Sequence, residues 1–265
     1  MNLTSILSEN KAYWTGRAEG YSKVNQEELA TDQRRKWKNC IHEQISRQFP
    51  GIPASKIRVL EVGTGPGFFA ILLCEMGYDV TAIDLTPAML AEAKKNAGEA
   101  AGRIRFLEMT AEALSFTDGS FDVVISRNLT WNLPHPRKAY AEWSRVLRSG
   151  GLLLNFDANW YSYLFDEEAQ AGYESDRANT ALMGFEDQNI GENFDVMEDI
   201  ARRIPLSGIR RPAWDLNILS GLGMIPRGEE QIWQYVWSDE EKVSFSSTPM
   251  FLVHAAKQEQ PAGSQ

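Results

Sequence analysis

Apolar and polar positions alternate along this chain in blocks whose period switches between that of a helix and that of a strand. Residues 27–48 carry Leu29, Trp37, Ile41 and Ile45 spaced among charges, the pattern of one amphipathic helix, which Pro50 and Pro53 close. From residue 57 short apolar runs predict strands at Arg58–Val62, Tyr78–Ile83, Ile104–Met109, Phe121–Ser126 and Leu152–Asp157. Between them the pattern predicts helices at Phe68–Met76, Pro87–Ala97 and Arg137–Leu147. Thr86 is placed to cap the second of these and Pro87 to open it, while Ser149-Gly150-Gly151 ends the third. Such alternation implies right-handed β-α-β units on a parallel sheet, with ligands bound beyond the carboxyl ends of the strands.

The alternation stops after residue 158. A structureless stretch as long as the one that follows is foreign to a compact domain. It holds a helical pattern near Phe194–Ile204 and apolar anchors, Phe185, Ile190, Phe194, Val196 and Ile200, that need a surface to bury. Residues 159–211 are therefore expected to form a mostly helical insertion, a lid at the strand ends that determines the ligand. Pro212–Leu222 is expected to return the chain to the core as a helix, and Gln231–Trp237 and Met250–Ala256 to end the sheet as a strand pair. The expected divisions are 1–56, an N-terminal helical cap; 57–158, the ligand-binding core; 159–211, the insertion; 212–257, a helix and strand pair completing the core; and 258–265, a polar, disordered tail. The fold class is α/β: a doubly wound, mostly parallel seven-stranded sheet with a helical insertion after the fifth strand.

Composition narrows the partners. The 265 residues carry a formal net charge of −9, which disfavours nucleic acid. Basic clusters at Arg34-Arg35-Lys36 with Lys38, at Arg202-Arg203 and at Arg210-Arg211 read as solvated helix faces. Cys40 and Cys74 lie far apart with no metal-ligand spacing, so both read as small core residues in a reducing compartment, and no metal is expected. No signal peptide and no membrane-length apolar run is evident, so a soluble, cytoplasmic protein without a membrane partner is expected.

The chemistry concentrates at residues 59–67, Val-Leu-Glu-Val-Gly-Thr-Gly-Pro-Gly. A strand that ends in a glycine turn and opens a helix lets backbone approach a ligand and aims free N–H groups at it. A dinucleotide fingerprint wants its third glycine where Phe68 stands; here it is Gly67, and Glu61 lies two residues before Gly63. This arrangement resembles motif I of the class I S-adenosylmethionine-dependent methyltransferases, a Rossmann-like superfamily. The resemblance implies S-adenosyl-L-methionine as cofactor, with S-adenosyl-L-homocysteine as product. It places the methionine part on Glu61 and on the turn of Gly63, Thr64, Gly65 and Gly67. Asp84, which ends the second strand before Leu85, is expected to hold ribose hydroxyls, a reading shared with dinucleotides.

Further segments carry the same resemblance in the same order. At Thr110-Ala111-Glu112 the family has Asp-Ala-Glu; Thr110 replaces the carboxylate that bonds the adenine amine, leaving Ala111 backbone and Glu112 at that edge. Phe121–Asn128 resembles the family's fourth strand, where Ser126 and Arg127 touch the methionine half mainly through backbone. Arg145–Gly151 resembles the helix end and strand start of the family. Tyr13-Trp14 with Tyr21 resembles its N-terminal helix, in which a tyrosine closes over the cofactor.

Methyl transfer is an in-line displacement that positioning alone accelerates, so a base is needed only for a protonated acceptor. The expected acceptor wall is Trp131 and Asn132 with His135 after the fourth strand, and Asp157, Asn159, Trp160 and Tyr161 after the fifth. His135 and Asp157 are the catalytic candidates. The loop Ser126-Arg127-Asn128-Leu129 has no Pro-Pro, which argues against exocyclic base methylation, and neither cysteine is placed for cytosine methylation. The expected function is methyl transfer to a small molecule. The competing readings are an NAD(P)-dependent oxidoreductase and a non-catalytic cofactor-binding protein. The acceptor atom and the oligomeric state are open.

Overall fold

The structure is a computed structural model and describes residues 3–187 and 194–259. Two helices open the chain, α1 (Leu3–Ala30) and α2 (Gln33–Gln48). The helix expected over 27–48 is thus divided: Thr31 donates back to the Glu28 carbonyl and the chain restarts at Asp32. The apolar period of α2 is what packs it, since Trp37, Cys40, Ile41 and Ile45 are all buried against the sheet.

The core then alternates through β1 (Arg58–Val62), α3 (Phe68–Glu75), β2 (Asp79–Asp84), α4 (Pro87–Ala97), β3 (Ile104–Glu108), β4 (Phe121–Arg127), α5 (Pro136–Val146) and β5 (Leu147–Asp157). Strands β1 to β5 pair in parallel, in the order 3-2-1-4-5. The direction of winding reverses between β1 and β4, and a crevice opens beyond their carboxyl ends at such a reversal. Residues 147–151 are strand rather than helix cap. Leu147 is already extended, and Gly150, at φ +70°, accommodates a register shift opposite Phe121 and Val123.

Beyond β5 come α6 (Glu167–Met183), α7 (Phe194–Ala201) and α8 (Ala213–Gly221). Met197, Ile200 and Ile204 bury against Ile6 of α1 and Trp131, a cluster separate from the sheet core. Val196 faces solvent instead, and Ile190 lies outside the described residues. The chain ends with β6 (Met224–Glu229), α9 (Trp233–Val236), α10 (Asp239–Ser244) and β7 (Phe251–Lys257). β7 runs antiparallel to both β5 and β6, giving seven strands in the order 3-2-1-4-5-7-6.

The strand expected at Gln231–Trp237 is therefore a short helix. Ile232, Val236 and Trp237 recur at helical spacing and all three enter the core. The true partner of β7 is an edge strand whose Pro226 and Gly228 disguise it; an edge tolerates a residue without an N–H. Both cysteines are buried and free, and burial pushes the Cys40 thiol up to about 12. Among the described residues no helix is long and apolar enough to cross a membrane, and no cluster of His, Cys, Asp and Glu could hold a metal ion.

Candidate active site

The turn between β1 and α3 is laced to the end of β2. Gly63 and Thr64 both donate to the Ile83 carbonyl at 2.9 Å. Gly65 N–H donates to Asp84 Oδ2 at 2.9 Å, while Thr86 N–H donates to Asp84 Oδ1 at 2.8 Å. Gly65 sits at φ +52°, and a Cβ there would point at the Tyr21 ring, 3.6 Å away. Gly67, at φ +93°, serves packing instead. A Cβ there would lie 3.0 Å from Ala93 Cβ, so the bare backbone lets α4 close against the turn. Behind the turn Thr64 Oγ1 donates to Glu61 Oε2 at 2.6 Å. Glu61 is 3 % exposed, and burial above all pushes its carboxyl up to about 8. Burial also raises Asp84, against the two backbone N–H groups that lower it.

A cavity of about 330 Å³ opens over this turn and continues across the ends of β4 and β5. Glu61, Gly63, Thr64, Gly65, Asp84 and Leu85 line it, as do Thr110, Ala111 and Arg127. Tyr21 lines it from α1, which covers the cavity with Asn10, Tyr13, Trp14, Arg17 and Glu28 as well. Those positions share one face of the helix. Beyond β4 and β5 Trp131, Asn132, Trp160 and Tyr161 line it, with Trp131 stacked on Tyr161 at 4.9 Å between centroids.

Six expected residues lie off this cavity, each with a physical reason. Gly67 packs on α4. Ser126 Oγ donates to the Val62 carbonyl at 2.8 Å, tying β4 to β1. Glu112 is turned away, accepting His135 N–H at 2.7 Å and facing its Nδ1 at 2.8 Å, so the two residues hold each other. Asp157 is fully buried. It accepts Trp131 N–H at 3.0 Å, Ala158 N–H at 2.9 Å and Arg211 Nη1 at 2.6 Å. Asn159 pairs both ways with Arg211 backbone, accepting its N–H at 3.0 Å and donating to its carbonyl at 3.1 Å. His135 and Asp157 thus lie off the cavity, held by Glu112 and by Arg211. Arg211 is likewise no solvated surface cation: it is fully buried between Asp157 and Asp215, and Tyr140 Oη donates to Asp215 Oδ1 at 2.5 Å.

Several lining residues have roles that the sequence did not suggest. Arg127 was expected to act through its backbone, but its side chain enters the cavity wall. It pairs with Glu28 of α1 (Nη1 to Oε2, 3.2 Å) and lies 4.9 Å over the rings of Trp37 and of Phe68. The replacement of a glycine by Phe68 was the available signal, since the ring there seats a cation. Glu28 itself and Glu241 of α10 carry no local signal. Asn128, at φ +54°, ends β4 in the left-handed region, and its carbonyl accepts Trp131 Nε1 at 3.0 Å.

Comparison with known proteins accords with this geometry. Residues 60–155 match the family described as a methyltransferase domain. That stretch is a methyltransferase domain. The demethylmenaquinone methyltransferase of Thermus thermophilus is 40 % identical over 99 residues, 37 % of this chain and 45 % of that protein. A ubiquinone/menaquinone biosynthesis C-methyltransferase of Methylobacterium nodulans is 37 % identical over 126 residues, 45 % of this chain and 48 % of the relative. The chain thus spans about half the length of the curated relatives it matches. Among solved structures, a phosphoethanolamine N-methyltransferase of Haemonchus contortus has the same fold at TM-score 0.55 and 17 % identity, over 84 % of this chain and 53 % of that one. An S-adenosylmethionine-dependent methyltransferase of Aquifex aeolicus aligns at TM-score 0.50 and 20 % identity, over 81 % and 88 % of the two chains.

Proposed function

We propose that the chain transfers the methyl group of S-adenosylmethionine to a small-molecule acceptor by in-line displacement. The observation that carries this is a single cavity. At one end it presents the carboxylates Glu61 and Asp84 flanking a glycine turn, and past Arg127 it continues to Trp131, Trp160 and Tyr161. In this reading Glu61 faces the cofactor's ammonium, Asp84 the ribose, and Thr110 with Ala111 the adenine edge. Tyr21 closes over the methionine part from α1. The reactive sulfonium then points past Arg127 toward the aromatic walls. Holding donor and acceptor in line supplies the acceleration, on the order of 7–11 kcal/mol for well-aligned groups. Residues 159–211 act as a lid, since Tyr161, Tyr163 and Phe194 line the cavity. Two relatives named for quinone biosynthesis support a small organic acceptor; their own substrates belong to them.

The test is calorimetric titration with S-adenosylmethionine and, separately, NAD. Saturable binding of the first and none of the second is expected. Gly65→Val should abolish it, because a branched side chain at φ +52° strains the turn and fills the gap before Tyr21. Unchanged affinity in that variant would falsify the placement of the cofactor.

A further inference from the structure

Four carboxylates face the cavity among its described residues: Glu28, Glu61, Asp84 and Glu241. Three are occupied. Glu61 and Asp84 serve the turn and the cofactor, and Glu28 is paired with Arg127. Glu241 has no ion-pair partner among the described residues. Both of its side-chain hydrogen bonds, from Gln33 Nε2 at 2.5 Å and Ser238 N–H at 2.7 Å, fall on Oε2. Oε1 accepts neither of them, and Glu241 lines the cavity. Beside it stand Trp160, Trp237 and Phe245, which also line the cavity and contact one another at centroid distances of 5.5 to 6.5 Å.

We propose that Glu241 is the proton acceptor of the reaction and that the methyl acceptor is an amine, entering as an ammonium between this carboxylate and the three rings. The proposal rests on the methyltransferase reading above. The charges that act on Glu241 are Glu28 and Arg127, which pair with each other. Of the other cations lining the cavity, Lys11 pairs with Glu108 and Arg17 acts on Tyr13 and Tyr161. Glu241 thus adds negative charge that favours a cation over an anionic acceptor such as a phenolate. Aromatic faces add to the attraction. An N–H proton passes from the ammonium to Glu241 Oε1, leaving a neutral amine and a carboxylic acid. The freed nitrogen lone pair attacks the methyl carbon. The carbon–sulfur bond breaks with its electrons remaining on sulfur, giving a methylated ammonium and S-adenosylhomocysteine. Burial and the charge of Glu28 raise the proton affinity of Glu241, while Arg127 and the Ser238 bonds oppose them. The net direction suits a base that must receive a proton.

A Glu241→Gln variant separates this role from a structural one, because Glu241 closes the capping box of α10 with Ser238 and glutamine preserves that box. With S-adenosylhomocysteine saturating, both proteins are titrated with benzyltrimethylammonium, a cation that offers nothing to methylate. Saturable binding is expected in the parent, weaker by about tenfold or more in the variant, with equal S-adenosylhomocysteine affinity in both. A panel of primary and secondary amines and of hydroquinones is then assayed for turnover. Amines should be methylated, kcat should fall about tenfold or more in the variant, and the acid limb of its pH profile should vanish. Absent or equal cation binding overturns the proposal, and so does turnover of hydroquinones alone or an unchanged pH profile. Failure of S-adenosylhomocysteine to bind either protein would instead sink the methyltransferase reading.

Discussion

Glu61 and Asp84 both line the cavity, and both were legible because each lies at the end of a strand beside the glycine turn. Glu61 is an acid whose folded pKa, about 8, stands above its ordinary 4.5. The folded state therefore holds a proton that the unfolded chain releases, and this residue's contribution to stability falls as pH rises through that window. Cofactor binding requires the ionised form opposite an ammonium, so affinity should climb from about pH 6 to about pH 8. It should fall again as an α-ammonium loses its own proton near its ordinary value of about 8. Glu61→Gln should flatten the rising limb in calorimetry across that range; a limb that persists removes Glu61 from the ammonium. For Asp84→Ala the expected loss is about 1–3 kcal/mol of binding. A drop in thermal stability with normal affinity would instead make Asp84 merely the anchor of Gly65 and Thr86. Less legible were the residues whose partners are remote. Glu112 met His135, and Asp157 met Arg211, through distances in sequence that no local pattern encodes.

At the scale of elements, the central parallel strands were readable because strands buried on both faces carry a run of apolar residues, as Val123–Ile125 of β4 does. The edge was not readable. β6 is mostly exposed and carries Pro and Gly, while the apolar residues just after it belong to helix α9. Nor was the joint of the insertion. Asn159 and Arg211 zip its two ends together, and the Arg211 side chain reaches Asp157, which also holds Trp131 N–H. Arg211→Leu would leave Asp157 and Asp215 buried without their cation, a loss of about 3–5 kcal/mol. Urea denaturation measures it, and a loss below about 1 kcal/mol would mean that the joint holds without its charge.

For the whole molecule, the sharpest test removes the insertion and keeps its joint. Residues 162–208 are excised and bridged by a short Gly/Ser linker, which leaves Asn159 and Arg211 in place. Cofactor affinity should survive, while turnover of an acceptor identified for the parent collapses. Equal turnover would place specificity in residues 126–135 and α1 instead. Helix α1 has a consequence of its own. Its one inner face runs along the cavity from Asn10, which donates to the Asn132 carbonyl at 2.9 Å, past Tyr21, to Glu28. It is fastened from outside at separate points: Lys11 to Glu108, Glu9 to Arg203, and Ser22 and Gln26 to Asn96. A single rod pinned at these points walls the one cavity from end to end. Any displacement of that rod would open the cavity along its whole length at once.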